Sequence, residues 1–338
     1  ERERMKQMWK IWLLTIVAAF MLAACGGTAT ETEKPDANET DSSQQEDNGS
    51  EKDTEDDTTE TTYPLTLKDA VDNEVTLEKA PEKIVSMMPS NTEILFELGL
   101  AEEIVGVSDY DDYPAEALEK EKIGGQEFNV EAIIAMDPEL VLGHESAFGI
   151  GEEGYKQIEA AGIPVFVVTN ATSFEETYTT IETIGELTNK NEEATKTIES
   201  MKAQVEEVLA KVEGQEEKSV FIETSPAPSI YTPGQNTFMQ EIVDMIGAKN
   251  IADDQEGWVE MDPEEIVNRN PEVIIVMYDY IPTAVEDVYA RDGFETITAI
   301  KEEQVIQVDE NLTSRTGPRL AQGLEEVAKA VYPEAFGE

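Results

Sequence analysis

Glu131-Ala-Ile-Ile-Ala-Met-Asp-Pro-Glu-Leu-Val-Leu142 is written a second time as Glu264-Glu-Ile-Val-Asn-Arg-Asn-Pro-Glu-Val-Ile-Ile275. In each copy a Glu opens a short helical pattern, an Ile follows two residues later, and Pro-Glu stands seven residues after the first Glu. The proline ends the helix, since it has no N–H to donate and disfavours helical geometry in the residue before it. The apolar run behind it reads as a strand buried on both faces. Helix, break and strand therefore recur in register. Repetition over so long an interval implies two duplicated α/β lobes with a cleft between them.

Outward from the first copy, residues 83–87 read as a strand, and Pro89-Ser90-Asn91 as a turn into a helix over 92–98 that Gly99 stops, with Ser90 or Asn91 as its cap. Residues 104–107 and 163–168 are further strands, the latter after a helix centred on Ile158. Residues 63–67 and 74–77 flank Asp72-Asn73 as a hairpin. The second half repeats the plan, with strands at 220–223 and 305–308 and helices at 238–246 and 319–331. Strands alternating with helices predict parallel sheets covered on both faces.

Two helices lie between the lobes. Ser173 and Glu176 have capping-box spacing. Behind them Ala194, Ile198, Met201, Val205, Val208 and Val212 form an apolar stripe, which predicts a helix over 191–212, roughly 33 Å long. A rod of that length joins the lobes stiffly and predicts little movement between them. The organisation expected is a first lobe over 63–172, connecting helices over 173–213 and a second lobe over 214–338.

The amino-terminal part reads differently. Arg2, Arg4, Lys6 and Lys10 precede an apolar run from Ile11 to Ala24, too short for the roughly 20 residues of a membrane span. It ends in Leu22-Ala-Ala-Cys25, so residues 1–25 read as a signal peptide. The arrangement resembles a bacterial lipoprotein signal, in which Cys25 becomes the acylated first residue, with palmitate among its chains. More than one chain is needed for stable anchoring. Residues 26–62 are almost devoid of apolar side chains and predict an extended acidic tether.

With 74 acidic residues against 24 basic ones and a formal net charge of -50, the chain is unsuited to binding nucleic acid. Catalytic signatures are missing too. His144 is the only histidine, no Gly-x-Ser-x-Gly or phosphate-cradling loop occurs, and one histidine is too few for a zinc or manganese cage. The expectation is a protein without enzymatic activity or catalytic cofactor.

Residues 83–99, the Ser108-Asp-Tyr-Asp-Asp-Tyr-Pro114 segment, both copies of the repeat and Ser314-Arg-Thr-Gly-Pro-Arg319 resemble the iron-siderophore and cobalamin substrate-binding proteins of ABC importers. The likeness runs from about residue 63 to 336. It implies the class III architecture: two Rossmann-like lobes with parallel sheets, joined by a single long backbone helix, holding a small molecule in a shallow cleft. It also implies that Glu131 and Glu264, one per lobe, dock onto arginines of an ABC permease dimer that works with ATPase subunits. The protein is then a monomer on the outer face of the cell membrane, held there by acylated Cys25.

Loops at the carboxyl ends of the strands line such a cleft. The candidates are Pro89, Ser90, Asn91, Tyr110, Phe128, His144, Tyr231, Trp258 and Arg315. Tyr110 and Trp258 offer one aromatic wall per lobe for a flat macrocycle. Trp258 stands six residues before Glu264, as in cobalamin binders. Those proteins often carry a tryptophan just before the first-lobe Glu; this chain has Gly125 there, with Phe128 as a partial substitute. His144 suits either a solvated loop or the metal centre of a heme or base-off corrinoid. Arg315 faces either ligand or local carboxylates. Basic residues that would meet an anionic ferric siderophore are scarce, which favours cobalamin over siderophore or heme. A ligand sensor and a cell-wall adhesin are the other classes weighed, but the first needs a partner kinase and the second leaves the cleft motifs unexplained.

Overall fold

The computed structural model describes residues 60–337; the signal segment, Cys25 and nearly all of the expected tether lie outside them. The chain enters through a hairpin, β1 (Leu65–Lys68) and β2 (Glu74–Leu77), and continues through β3 (Ile84–Ser86), α1 (Pro89–Glu97), β4 (Ile104–Val107) and β5 (Glu121–Lys122). Then come α2 (Val130–Ala135), β6 (Leu140–His144), α3 (Glu145–Ala160) and β7 (Val165–Val168). Strands β3 to β7 form one sheet in the order β5-β4-β3-β6-β7, every pair parallel.

Helices α4 (Phe174–Thr188) and α5 (Asn191–Val212) cross to the second lobe. It contains β8 (Ser219–Glu223), β9 (Tyr231–Pro233), α6 (Phe238–Met245), β10 (Lys249–Asn250), β11 (Trp258–Glu260), α7 (Pro263–Arg269) and β12 (Val273–Val276). The chain closes with α8 (Ala284–Tyr289), α9 (Thr298–Lys301), β13 (Val305–Gln307), α10 (Glu310–Ser314), α11 (Leu320–Val331) and α12 (Pro333–Phe336). The second sheet is parallel in the order β10-β8-β12-β13, and β9 with β11 forms a separate antiparallel ribbon.

The duplicated stretch does the same physical work twice. Ile133 and Ile266 are fully buried, each worth about 1.5–3 kcal/mol of apolar transfer. Asp137 (φ 50°) and Asn270 (φ 47°) take the left-handed conformation just before each proline, which short polar side chains tolerate. The strand behind the proline pairs in the same register in each lobe, Leu140 opposite Ile84 and Val273 opposite Val220. Glu139 N donates to Lys83 O (2.8 Å) and Glu272 N to Ser219 O (2.9 Å). Their carboxylates then accept from the backbone N–H of Glu82 (2.7 Å) and of Ser219 (2.8 Å). The glutamate that follows the proline in each copy thus stitches its strand to the start of the neighbouring one.

A single apolar cluster runs from the first lobe through both crossing helices into the second, with Ile94, Ile181, Met201, Val208, Ile222 and Leu324 all part of it. Helix α5 has the bounds its stripe predicts, and Ala194, Ile198, Met201, Val205, Val208 and Val212 are all buried. Interiors this continuous are close-packed and resist shear.

Some local expectations are corrected. Helix α1 begins at Pro89, three residues earlier than the pattern suggests, and neither Ser90 nor Asn91 caps it: Met88 holds the cap position without a side-chain bond. The proline needs no capping partner, and the Asn91 amide donates to Gly143 O instead (3.0 Å). Thr61, placed in the tether by sequence, is tied to the turn between α4 and α5 through its N–H to Asn189 Oδ1 (2.7 Å) and its hydroxyl to Glu186 O (2.9 Å). Among the described residues no helix is long and apolar enough to cross a membrane.

Candidate functional site

Segments leaving the carboxyl ends of strands in both sheets meet at a cleft of about 460 Å³. The first lobe lines it with Met88, Pro89 and Ser90 after β3, Tyr110 and Asp112 after β4, and His144 at the end of β6. The second supplies Asp279 after β12 and Glu310, Asn311, Ser314, Arg315 and Thr316 after β13. Its volume falls within the roughly 300–1,000 Å³ of small-molecule sites.

Of the residues proposed from sequence, the cleft brings together Pro89, Ser90, Tyr110, His144 and Arg315. Asn91 is fully buried beneath it and occupied with Gly143. Phe128 does not line it either: its ring stacks on Tyr155 at 5.3 Å and covers Gly154, where an added Cβ would come within 2.6 Å of it. The aromatic that lies over Gly125 is Tyr110, whose hydroxyl would stand 2.7 Å from a Cβ at that glycine. The absent side chain leaves the space that Tyr110 fills.

Tyr231 and Trp258 do not line the cleft either: they lie on the ribbon that follows β8. Thr224, the first residue past that strand, donates its N–H to Tyr231 O at 2.9 Å. Tyr231 pairs with Glu260 and Pro233 with Trp258, so both aromatics share one ribbon face. That face is open, with Tyr231 41% and Trp258 46% exposed, and Trp258 leans on Phe238 at 5.9 Å.

His144 is no solvated loop residue. It is 5% exposed and accepts from Ser146 N at Nδ1 (3.3 Å), with the Ser146 hydroxyl at 2.8 Å from the same atom, and so caps α3. Burial lowers its pKa to about 4, which keeps the imidazole neutral at pH 7. Arg315 is fully engaged: it donates to Glu93 (2.9 Å) and Asp112 (2.7 Å), both of the other lobe. Arg319 clasps the same Glu93 and stacks over Tyr113, its guanidinium 3.7 Å from the ring centre. Asn311 reaches Asp112 at 3.2 Å.

Sequence reasoning singled out neither Glu93 nor the cleft carboxylates Asp112, Asp279 and Glu310. Glu93 occupies an apolar-looking helix, and the three acids are lost among 74. Among the described residues no three His, Cys, Asp or Glu side chains converge to hold a metal ion.

Glu131 and Glu264 occupy the same place in their helices, the second residue of α2 and of α7. Each helix precedes a strand of its sheet and runs back against it, so its amino end lies at the cleft side. Both carboxylates are exposed, and neither forms an ion pair among the described residues.

Comparison with known proteins agrees with this architecture. An "Uncharacterized ABC transporter substrate-binding lipoprotein YvrC" of Bacillus subtilis is 42% identical over 337 residues, 99% of this chain and 100% of that protein. A "Cobalamin-binding protein" of Halobacterium salinarum is 28% identical over 286 residues, 80% of this chain and 74% of that one. The crystal structure of a possible iron-binding (periplasmic solute-binding) protein from Staphylococcus epidermidis superposes with a TM-score of 0.70 at 35% identity, covering 75% of this chain and 100% of that one. The periplasmic binding protein family model matches residues 84–312, from the first strand of the first sheet to α10, and the chain belongs to that family.

Proposed function

We propose that this protein captures a corrinoid outside the cell and delivers it to an ABC import permease, with acylated Cys25 as its membrane anchor. The observation that carries this reading is the placement of exposed aromatics. Tyr110, Tyr113, Tyr231, Trp258 and Tyr280 are the large aromatic side chains most exposed among the described residues. All five lie on segments leaving the carboxyl ends of β4, β8, β10 and β12; Tyr110 lines the cleft itself, Tyr113 lies under the Arg319 guanidinium, and the other three stand outside the cleft lining. Exposing several rings at one edge is costly in water unless a ligand covers them. A flat macrocycle matches such walls face to face. Tyr110 lies over Gly125 and offers one such wall, and the similarity to the cobalamin-binding protein of Halobacterium salinarum supports the same class.

Glu131 and Glu264 are the proposed contacts with the permease, one from each lobe. Their unpaired carboxylates at helix amino ends offer two fixed negative charges to two arginines. Ferric siderophore or heme import on the same fold is the alternative, and the neutral imidazole of His144 on the cleft lining favours heme within it.

Titration of the purified protein with cobalamin, hemin and a ferric hydroxamate, followed by visible absorbance and calorimetry, tests the reading. Saturable one-to-one binding of cobalamin is expected. Binding of hemin or the hydroxamate alone would transfer the assignment, and binding of none would remove it.

A further inference from the structure

We infer that Asp279 and Glu310 set the charge specificity of the cleft, admitting a macrocycle whose periphery presents amide N–H donors and rejecting one that presents carboxylates. The inference rests on the corrinoid reading above and names the form of corrinoid it selects.

The two acids stand side by side on the second-lobe wall, where Asp279 N donates to Glu310 Oε2 at 3.4 Å. Neither forms an ion pair among the described residues. The cleft has one cation to offset them, Arg315, and both Glu93 and Asp112 hold it. Its side chain is 12% exposed, so little of that charge is presented to a ligand. Asp112 is itself taken up by Arg315 and Asn311, which leaves Asp279 and Glu310 as the carboxylates with acceptor capacity to spare. Burial, and after it the neighbouring Asp279 charge, pushes the Glu310 carboxyl above its usual range, as expected of like charges crowded in a partly dry wall.

For a ligand, this wall presents two carboxylates outside any ion pair among the described residues and no free cation to match them, beside the neutral side chains of Asn311, Ser314 and Thr316. An amide edge satisfies it with N–H groups, and a carboxylate edge brings a third negative charge to within contact distance. At the effective dielectric of a protein surface such a pair of like charges is worth a factor of about ten or more in affinity.

The full-length protein, purified in detergent, is titrated with cyanocobalamin and with its monocarboxylic acid, in which one peripheral amide is hydrolysed. These probes differ by a single charge. The expected result is at least about tenfold weaker binding of the acid by the wild type, with the ratio falling several-fold in the double variant Asp279→Asn, Glu310→Gln. Raising the salt from about 0.05 to 1 M narrows the ratio in the wild type without any substitution, because the screening length drops to about 3 Å. That series decides the matter if the double variant does not fold. Equal binding of the two forms by the wild type, an unchanged ratio in a folded variant, or a ratio indifferent to salt overturns the inference and leaves the corrinoid reading standing. Binding of neither form removes both.

Discussion

Arg319 of the second lobe holds Glu93 of the first through two parallel hydrogen bonds, 2.8 Å from Nε to Oε2 and 2.7 Å from Nη2 to Oε1. Glu93 is 3% exposed, and Arg315 adds a third donor, so this carboxylate bolts the lobes together beneath the cleft. Removing it strands the mostly buried Arg319 guanidinium and leaves Arg315 with Asp112 alone. Glu93→Ala is expected to cost about 3–5 kcal/mol in chemical denaturation, and Glu93→Gln less, since its amide oxygen still accepts. A loss below about 1 kcal/mol in the alanine variant would mean the bolt adds nothing net.

Charge reversal at Glu131 and Glu264 separates docking from binding. The double variant to Lys is expected to hold ligand with unchanged affinity, because neither residue lines the cleft, and to lose uptake in whole cells by about tenfold or more. Single reversals fall in between. Uptake at the wild-type rate in the double variant would remove both residues from the permease interface.

Trp258 is the only tryptophan beyond the signal segment, so its emission reports on the ribbon wall alone. Quenching on ligand addition is expected, and Trp258→Phe should abolish the signal while keeping most of the affinity. Trp258→Ala should weaken binding about tenfold by removing the stacking face. Gly125→Ala tests the opposite wall: its Cβ would sit 2.7 Å from the Tyr110 hydroxyl, so the ring must swing away and affinity falls without change at Trp258.

The pH dependence of stability follows from His144. Its pKa is lowered from 6.5 to about 4 in the fold by burial. Between these values the unfolded chain binds a proton that the native one does not, so this group's contribution is intact above pH 6.5 and declines as pH falls towards 4. The amount is on the order of 3 kcal/mol. His144→Gln should flatten that part of the curve relative to wild type, as measured by urea midpoints at pH 7, 5.5 and 4.5. Parallel curves for the two proteins would contradict the assignment.

How much of this was legible in the sequence depends on the range of the interaction involved. Helix α5 was readable to the residue because its stripe repeats over about five turns and every member is buried. The start of α1 was misjudged because Pro89 can sit inside a first turn as easily as before it, and spacing does not tell the two apart. Strands β5, β9 and β11 hold two or three residues each, too few for an alternation to show. Phe128 and Tyr110 were equally good aromatic candidates in a loop; the contact with Tyr155 takes one into the lobe's core and leaves the other on the cleft.

By itself the sequence determined that two similar lobes exist, that a long helix lies between them, and that a matched glutamate opens one helix in each. These are local matters: period, proline and cap act within a few residues, where backbone geometry leaves few choices. The tertiary structure decided which distant groups meet. Glu93 and Arg319 are 226 residues apart, and nothing short of the two lobes packing on a shared core brings them together. Burial within the fold keeps the His144 imidazole neutral, and the meeting of the lobes commits Arg315 to Glu93 and Asp112. Partnership between charges depends on three-dimensional distance and on how much water remains between them, and the order of residues along a chain encodes neither.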